Sequence, residues 1–226
     1  MRTQCERCGE CCKAGGPALH LADADLFGRG VLGYEQVYTL RAGEVVHEQV
    51  RGGLVRLESE MIKVKGSGTQ WVCGFYLAED SGCAIYEDRP VECRALKCWD
   101  TSDLEMMYMR DRLARTDLID PESALGQVIA DHERMCSVER LWDQARALDT
   151  GDTNAAREIL SLVRYDESMR QAFMYRAQVG SEYLDLFFGR PLAATVHQFG
   201  LEMENREGML LVRPMPPERR PRLLGE

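Results

Sequence analysis

Cys5-Glu6-Arg7-Cys8-Gly9-Glu10-Cys11-Cys12 places four thiols within eight residues. Two residues between cysteines let one tight turn aim both sulfurs at a single ion, about 2.3 Å from each for zinc. One such pair is weak evidence, but this density is strong evidence for a metal or a cluster. Gly9 lies just after the second cysteine. A glycine there can take positive φ and bring backbone N–H groups near the sulfurs. The pair Cys11-Cys12 is the unusual element, since neighbouring residues do not easily point both side chains at one small ion. They suit two sites, or two metals of one larger cluster.

The remaining cysteines extend the pattern. Cys73, Cys83, Cys93 and Cys98 follow within the first hundred residues, and only Cys136 of the nine lies beyond. Eight thiols are enough for two tetrathiolate sites, or for one cluster with thiols to spare. Gln70-Trp71-Val72-Cys73 reads as a strand returning from Met61-Ile62-Lys63-Val64 through the turn Gly66-Ser67-Gly68. Leu54-Val55-Arg56-Leu57 also has strand character, Gly82 suits a turn aiming Cys83 inward, and Asp23-Ala24-Asp25-Leu26-Phe27 suggests a short helix. Trp71 and Trp99 flank the cysteine segment and are expected to shield it.

The pattern Cys-x2-Cys-x2-Cys-Cys, followed by Cys83-Ala84-Ile85-Tyr86, Arg89-Pro90-Val91-Glu92-Cys93-Arg94 and Cys98, resembles the CxxCxxCC (YkgJ-type) cysteine-cluster family. The resemblance covers about residues 5–98. It implies metal ligation by Cys5, Cys8, Cys11, Cys12, Cys73, Cys83, Cys93 and Cys98, and that family is described as zinc- or iron-chelating. Some flagellin lysine N-methylases carry similar cysteines and are associated with iron–sulfur clusters. Thiolate-only ligation suits both zinc and iron–sulfur. The reading leans to an iron–sulfur cluster, of 4Fe-4S type, with zinc as the alternative. Arg89 and Arg94 flank Cys93, and their charge would offset thiolates and sulfides and raise a cluster's potential.

Beyond residue 100 the chain reads as helices. Thr101 or Ser102 would cap one running to about Arg115, and Pro121 fits the first position of the next. Leu125, Val128, Ile129, His132, Cys136, Leu141, Trp142 and Ala145 follow roughly helical spacing. Asp152 or Thr153 would cap a helix through Val163, Asp166 another ending at Gly180, and Ser181 a short apolar one ending at Gly189. Met106-Met107-Tyr108-Met109 reads as adaptable core packing. In Asp131-His132-Glu133-x2-Cys136, His132 and Cys136 share a helix face, and the plainer reading is a packed histidine and a buried thiol. The last fifteen residues hold four prolines and four arginines and read as an extended tail.

The expected fold is therefore α+β. An irregular cysteine domain with a small hairpin occupies 1–100, a helical region 101–211, and a Pro/Arg-rich tail 212–226. The 226 residues are 45% apolar and 29% charged, ordinary for a globular chain. The formal charge of −9 disfavours nucleic acid as a partner. No run approaches a membrane span, and Met1-Arg2-Thr3-Gln4 opens without an apolar stretch, so a cytoplasmic location with reduced thiols is expected. Cys8-x3-Cys12 would need a third cysteine at Gly15 to give the radical S-adenosylmethionine pattern. Phosphate-loop, dinucleotide and nucleophile-elbow motifs are missing. Three functions stay open: an iron–sulfur protein with an unidentified redox or protein partner, a zinc-stapled interaction module, and a methyl-transfer or other modifying enzyme.

Overall fold

The computed structural model describes residues 5–48, 50 and 52–224. The chain divides into two units, and the division is not linear. Residues up to Thr39 combine with Met61–Ile119, while Leu40–Glu60 joins Asp120 and everything after it. The class is α+β, with two-stranded sheets and a helical carboxy-terminal half.

The first unit is made of short pieces. Helix α1 (Glu10–Lys13) carries Cys11 and Cys12, and α2 (Asp25–Gly28) realises the short helix expected there. Strand β1 (Val37–Leu40) pairs with β4 (Met61–Val64). The expected hairpin exists in reduced form. Strand β5 (Gly66–Ser67) pairs with β6 (Val72–Cys73), because Trp71 sits at φ 53° and the extended run starts only after it. Strand β7 (Tyr76–Leu77) pairs with β8 (Gly82–Cys83), placing Tyr76 opposite Cys83. Helices α3 (Val91–Ala95), α4 (Ser102–Met107) and α5 (Arg115–Leu118) complete the unit. The single helix expected from Ser102 to Arg115 breaks after Met107. Asp111 turns the chain at φ 49°, and Leu113, fully buried, is held in extended pairing. Its N–H donates to Leu19 and its carbonyl accepts from Ile62. The apolar centre of this unit contains Leu19, Val37, Ile62, Val64 and Leu113. Met106 and Met109 are exposed rather than packed in it.

The second unit is built from longer helices. Strands β2 (Val45–His47) and β3 (Leu54–Arg56) pair antiparallel. Helix α6 (Ala124–Met135) starts with Ser123, whose hydroxyl accepts from Gly126 N–H. Pro121 lies in the turn before it, not at its first position. That turn presses on Gly126, where a Cβ would come within 2.3 Å of the Asp120 carbonyl oxygen. Helix α7 (Val138–Asp149) buries Val138, Leu141 and Ala145, and α8 (Thr153–Ala177) buries Ile159, Leu162 and Val163. Steps of three and four residues put each set on one face, and the two faces share a core with Leu192, Val196, Phe199 and Leu201.

Asp152 caps α8 as expected, but the helix runs unbroken for 25 residues. Asp166 does not start a second helix. No Gly or Pro interrupts this stretch, and the Asp166 carboxylate serves His132, Arg170 and the Leu192 N–H rather than the N–H groups of its own turn. After Gly180, α9 (Leu184–Phe188) ends at Gly189 with φ 68°, and α10 (Leu192–Thr195) follows. Strands β9 (Leu201–Arg206) and β10 (Met209–Pro214) form a hairpin. Up to residue 224 the Pro/Arg segment is held down rather than a free tail: Arg220 pairs with Asp149, and Leu224 N–H donates to the Leu54 carbonyl.

Candidate metal centre

All eight cysteines of the sequence pattern lie in the first unit as free thiols. Cys5 and Cys8 sit on the exposed chain before α1, and Arg7 N–H donates to Cys5 Sγ at 3.4 Å. Gly9 is the hinge between this segment and α1. It takes φ 77°, and a side chain there would strike Tyr76, whose ring carbon would lie 2.4 Å from a Cβ. Position 9 therefore requires glycine for both conformation and space.

Helix α1 packs on β6, which brings Cys11 and Cys12 to Cys73. Cys73, the last residue of β6, is buried; Cys83, the last of β8, and Cys93 in α3 are half-buried. Cys11, Cys73, Cys83 and Cys93 lie close enough to perturb one another electrostatically, and Cys12 responds to the first three of them. The adjacent pair thus belongs to one gathering of five sulfurs. Cys98 lies beyond α3 and is exposed, as are Cys5, Cys8 and, within the gathering, Cys11.

The five inner thiols are not equivalent. The Cys12 S–H donates to Cys11, and with nearby N–H groups and the Arg89 charge it holds the Cys11 thiol down at about 6. The same contact holds Cys12 well above the ordinary thiol range. Burial pushes Cys73 and Cys93 upward, and the neighbouring sulfurs add to this. Without a cation, the gathering favours ionisation of Cys11 and opposes that of Cys12, Cys73 and Cys93; a metal reverses that opposition, because its ligand is the thiolate.

One aromatic residue fastens the outer loop. The Arg7 guanidinium lies 3.8 Å from the centroid of the Tyr86 ring, and that of Arg89 lies 3.6 Å from it. Two guanidiniums cannot share one face at that distance, so Tyr86 is clasped between them. Arg7 also faces Glu87 at 3.9 Å. Through this stack the loop carrying Cys5 and Cys8 is tied to the turn that precedes Cys93. Arg89 Nε is buried and has no hydrogen-bond partner among the described residues. Arg94 acts instead on Asp23.

Behind Cys93 a polar brace sets the start of α3. Asp23 Oδ1 accepts from Val91 N–H at 2.9 Å, and its other oxygen accepts from His20 N–H. Glu92 accepts from Ala18 N–H at 2.7 Å and lies 3.3 Å from His20 Nε2. Asp23 is fully buried. Sequence reading missed this brace because its partners are about seventy residues apart. Trp71 and Trp99 are 48% and 38% exposed, so neither closes the centre from water as expected.

Elsewhere, His132, Cys136 and Asp166 lie in the second unit, all buried, with one ligand atom of each within 4.8 Å of the others. Among the described residues no other trio of histidine, cysteine or acidic side chains is drawn so tightly. No helix among the described residues is long and apolar enough to cross a membrane.

No curated protein and no solved structure matches the chain. Residues 4–112 match the family model CxxCxxCC, described as "Putative zinc- or iron-chelating domain". That span contains the whole set of eight cysteines, the Arg7–Tyr86–Arg89 stack and the His20 brace, and the likeness to the CxxCxxCC family is confined to it.

Proposed function

We propose that the first unit is an iron–sulfur module serving electron transfer or supporting a modification reaction on a protein partner. The observation that carries this reading is the gathering of Cys11, Cys12, Cys73, Cys83 and Cys93, with adjacent residues both contributing. Five sulfurs including a vicinal pair exceed what one tetrahedral ion accepts, and they suit a centre with several metal atoms. The donor set fits such a group: soft sulfurs, partial burial, and a guanidinium beside Cys11.

Cys11, Cys12, Cys73, Cys83 and Cys93 would hold the group, and Cys5, Cys8 and Cys98 would complete it or form a second site at the surface. An iron–sulfur group bound there supplies one-electron transfer. The chain's own residues gather the thiolates, offset their charge through Arg89, and fix the outer loop through Tyr86. The buried Nε of Arg89 is a donor without an acceptor among the described residues, and a cluster sulfide or thiolate would provide one.

A zinc-stapled interaction module is the second reading. It is favoured by the local Cys5-x2-Cys8 pair on the exposed loop, which is compatible with a closed structural site. Anaerobic purification with iron, zinc and acid-labile sulfide per chain, alongside a visible spectrum, separates the two. Near-equal iron and sulfide with absorbance near 400 nm that bleaches with dithionite is the expected result. Zinc without sulfide and without colour overturns the iron–sulfur reading in favour of the staple.

A further inference from the structure

Helix α6 ends on a group of side chains that the cysteine cluster does not use. His132 and Cys136 are one turn apart and fully buried, and Asp166 of α8 is 2% exposed. His132 Nε2 and Asp166 Oδ1 are 2.7 Å apart. The same Oδ1 accepts from Arg170 Nε at 2.9 Å, and Oδ2 accepts from Leu192 N–H at 2.9 Å. The carboxylate is therefore saturated by three donors and holds the ring proton on Nε2. The other ring nitrogen, Nδ1, presents a lone pair. It is buried and has no hydrogen-bond partner among the described residues.

Such an orphan is costly, by about 1–3 kcal/mol for a buried polar atom. Folded chains rarely keep one without a use. The arrangement matches a known logic of metal sites, in which a ligating imidazole donates its second N–H to a carboxylate that fixes tautomer and ring orientation. The remaining donor is Cys136 Sγ. It follows His132 by one turn, and a ring nitrogen, this thiol and an Asp166 oxygen all lie within 4.8 Å of one another.

Charge selects the ion. The charges around the site are paired: Asp166 with Arg170 at 2.9 Å, Arg41 with Glu133 and with Glu44 at 3.7 Å each, and Glu44 also with Arg190. They cancel, and His132 is neutral. Adding one thiolate keeps the core neutral only if the ion carries a single positive charge. One thiolate and one imidazole are also donors that suit Cu+, a soft ion.

We propose that His132 and Cys136 form a second, enclosed metal site for Cu+, with Asp166 acting through the His132 ring. On binding, the Cys136 S–H bond breaks and its proton leaves to water, while bonds form from copper to Sγ and to Nδ1. No electron is transferred. The thiol is fully buried, so the ion must displace that proton where it binds. The ion enters as the second unit folds or opens, since none of the three side chains reaches solvent.

The test uses the full chain labelled with 15N-histidine, first saturated with Zn2+ to fill the amino-terminal cysteines. Two-bond 1H–15N spectra are then recorded as Cu+ is added anaerobically. The expected result is an upfield move of the His132 Nδ1 resonance with the Nε2–H tautomer kept. In Cys136→Ser that move is lost and bound copper falls by one per chain. An unmoved Nδ1 at saturating Cu+ overturns the proposal, as does a shift that survives Cys136→Ser. A full shift with Zn2+ alone overturns the choice of a monovalent ion. If Cys136→Ser does not fold, the wild-type spectrum still decides. Because the signal comes from His132, this outcome is independent of what the cysteine cluster binds.

Discussion

In the first unit the longest described helix has six residues, and the strands that carry Cys73 and Cys83 have two each. In the second, α8 alone runs for 25 residues and shares a core of eleven buried side chains with its neighbours. The two units also hold their polar chemistry differently. The first leaves most of its thiols exposed or half-buried, with mutual repulsion opposing the ionisation of Cys12, Cys73 and Cys93. The second encloses a histidine, a carboxylate and a guanidinium that satisfy one another almost completely. Elements too short to be stable alone need a cross-link, whereas long amphipathic helices stabilise one another by burial. Metal dependence of folding should therefore be concentrated in the first unit.

The sharpest way to break this comparison is chelation. Structural zinc sites are worth about 10–16 kcal/mol of folding free energy in small domains. Stripping metal from the protein should remove amide protection in residues 5–14 and 72–98 while α7 and α8 keep theirs, read by hydrogen exchange. Loss of protection in α8 in step with the cysteine segments would show that the contrast is wrong.

The converse perturbation is Asp166→Ala. It leaves His132, Arg170 and the Leu192 N–H without their acceptor in the core, and breaking a buried pair this way costs about 3–5 kcal/mol. Denaturant unfolding followed on Trp142 should register the loss, with metal content of the first unit unchanged. An effect below about 1 kcal/mol would mean that the network is not structural.

Tyr86→Leu sharpens the contrast within the first unit. Two stacked cations are lost, each worth about 0.5–1 kcal/mol at a solvent-accessible ring. Metal should leave to a chelator faster by about tenfold, from that free energy at 1.4 kcal/mol per decade. Tyr86→Phe keeps the ring and should behave as wild type. Equal rates for all three proteins would show that the stack does not hold the loop.

The smallest effect is that of pH on the second unit. Burial and the Arg41 charge outweigh Asp166 and hold His132 below its ordinary 6.5. Burial pushes Asp166 up, but His132, Arg170 and the Leu192 N–H more than offset it and keep this carboxyl below its ordinary 3.8. The unfolded chain takes up the histidine proton first as pH falls. Stability should thus be full above about 6.5, decline below it, and decline further through the carboxylate range. A flat stability profile between pH 7 and 5 would contradict the neutral assignment of His132.

The sequence reveals what is local. Cysteine spacing marks the candidate centre, and the Asp152 cap and the Ser181–Gly189 segment are set by neighbours within a turn. The reading fails where a residue's partner is distant. Asp166 looks like a cap, but its acceptors serve His132 and Leu192, 34 and 26 residues away. Residues 101–115 look like one helix, but Leu113 is claimed by Leu19 and Ile62. Glycine, proline and cap residues report on their own turn; a carboxylate or a buried leucine can be claimed by any part of the chain.

The excursion of residues 40–60 into the second unit means that no single cut separates the two. The ribosome releases Arg41 and Glu44 long before Cys136 and Arg190, the residues that meet them. During synthesis the first unit can close only around a loop whose buried charges still wait in water. Division of the gene at residue 119 would strand the same two charges in the wrong half, and the second half would lack the β2–β3 pair. The covalent order of the chain thus makes the helical unit the last to be finished and the cysteine unit the bearer of one of its parts.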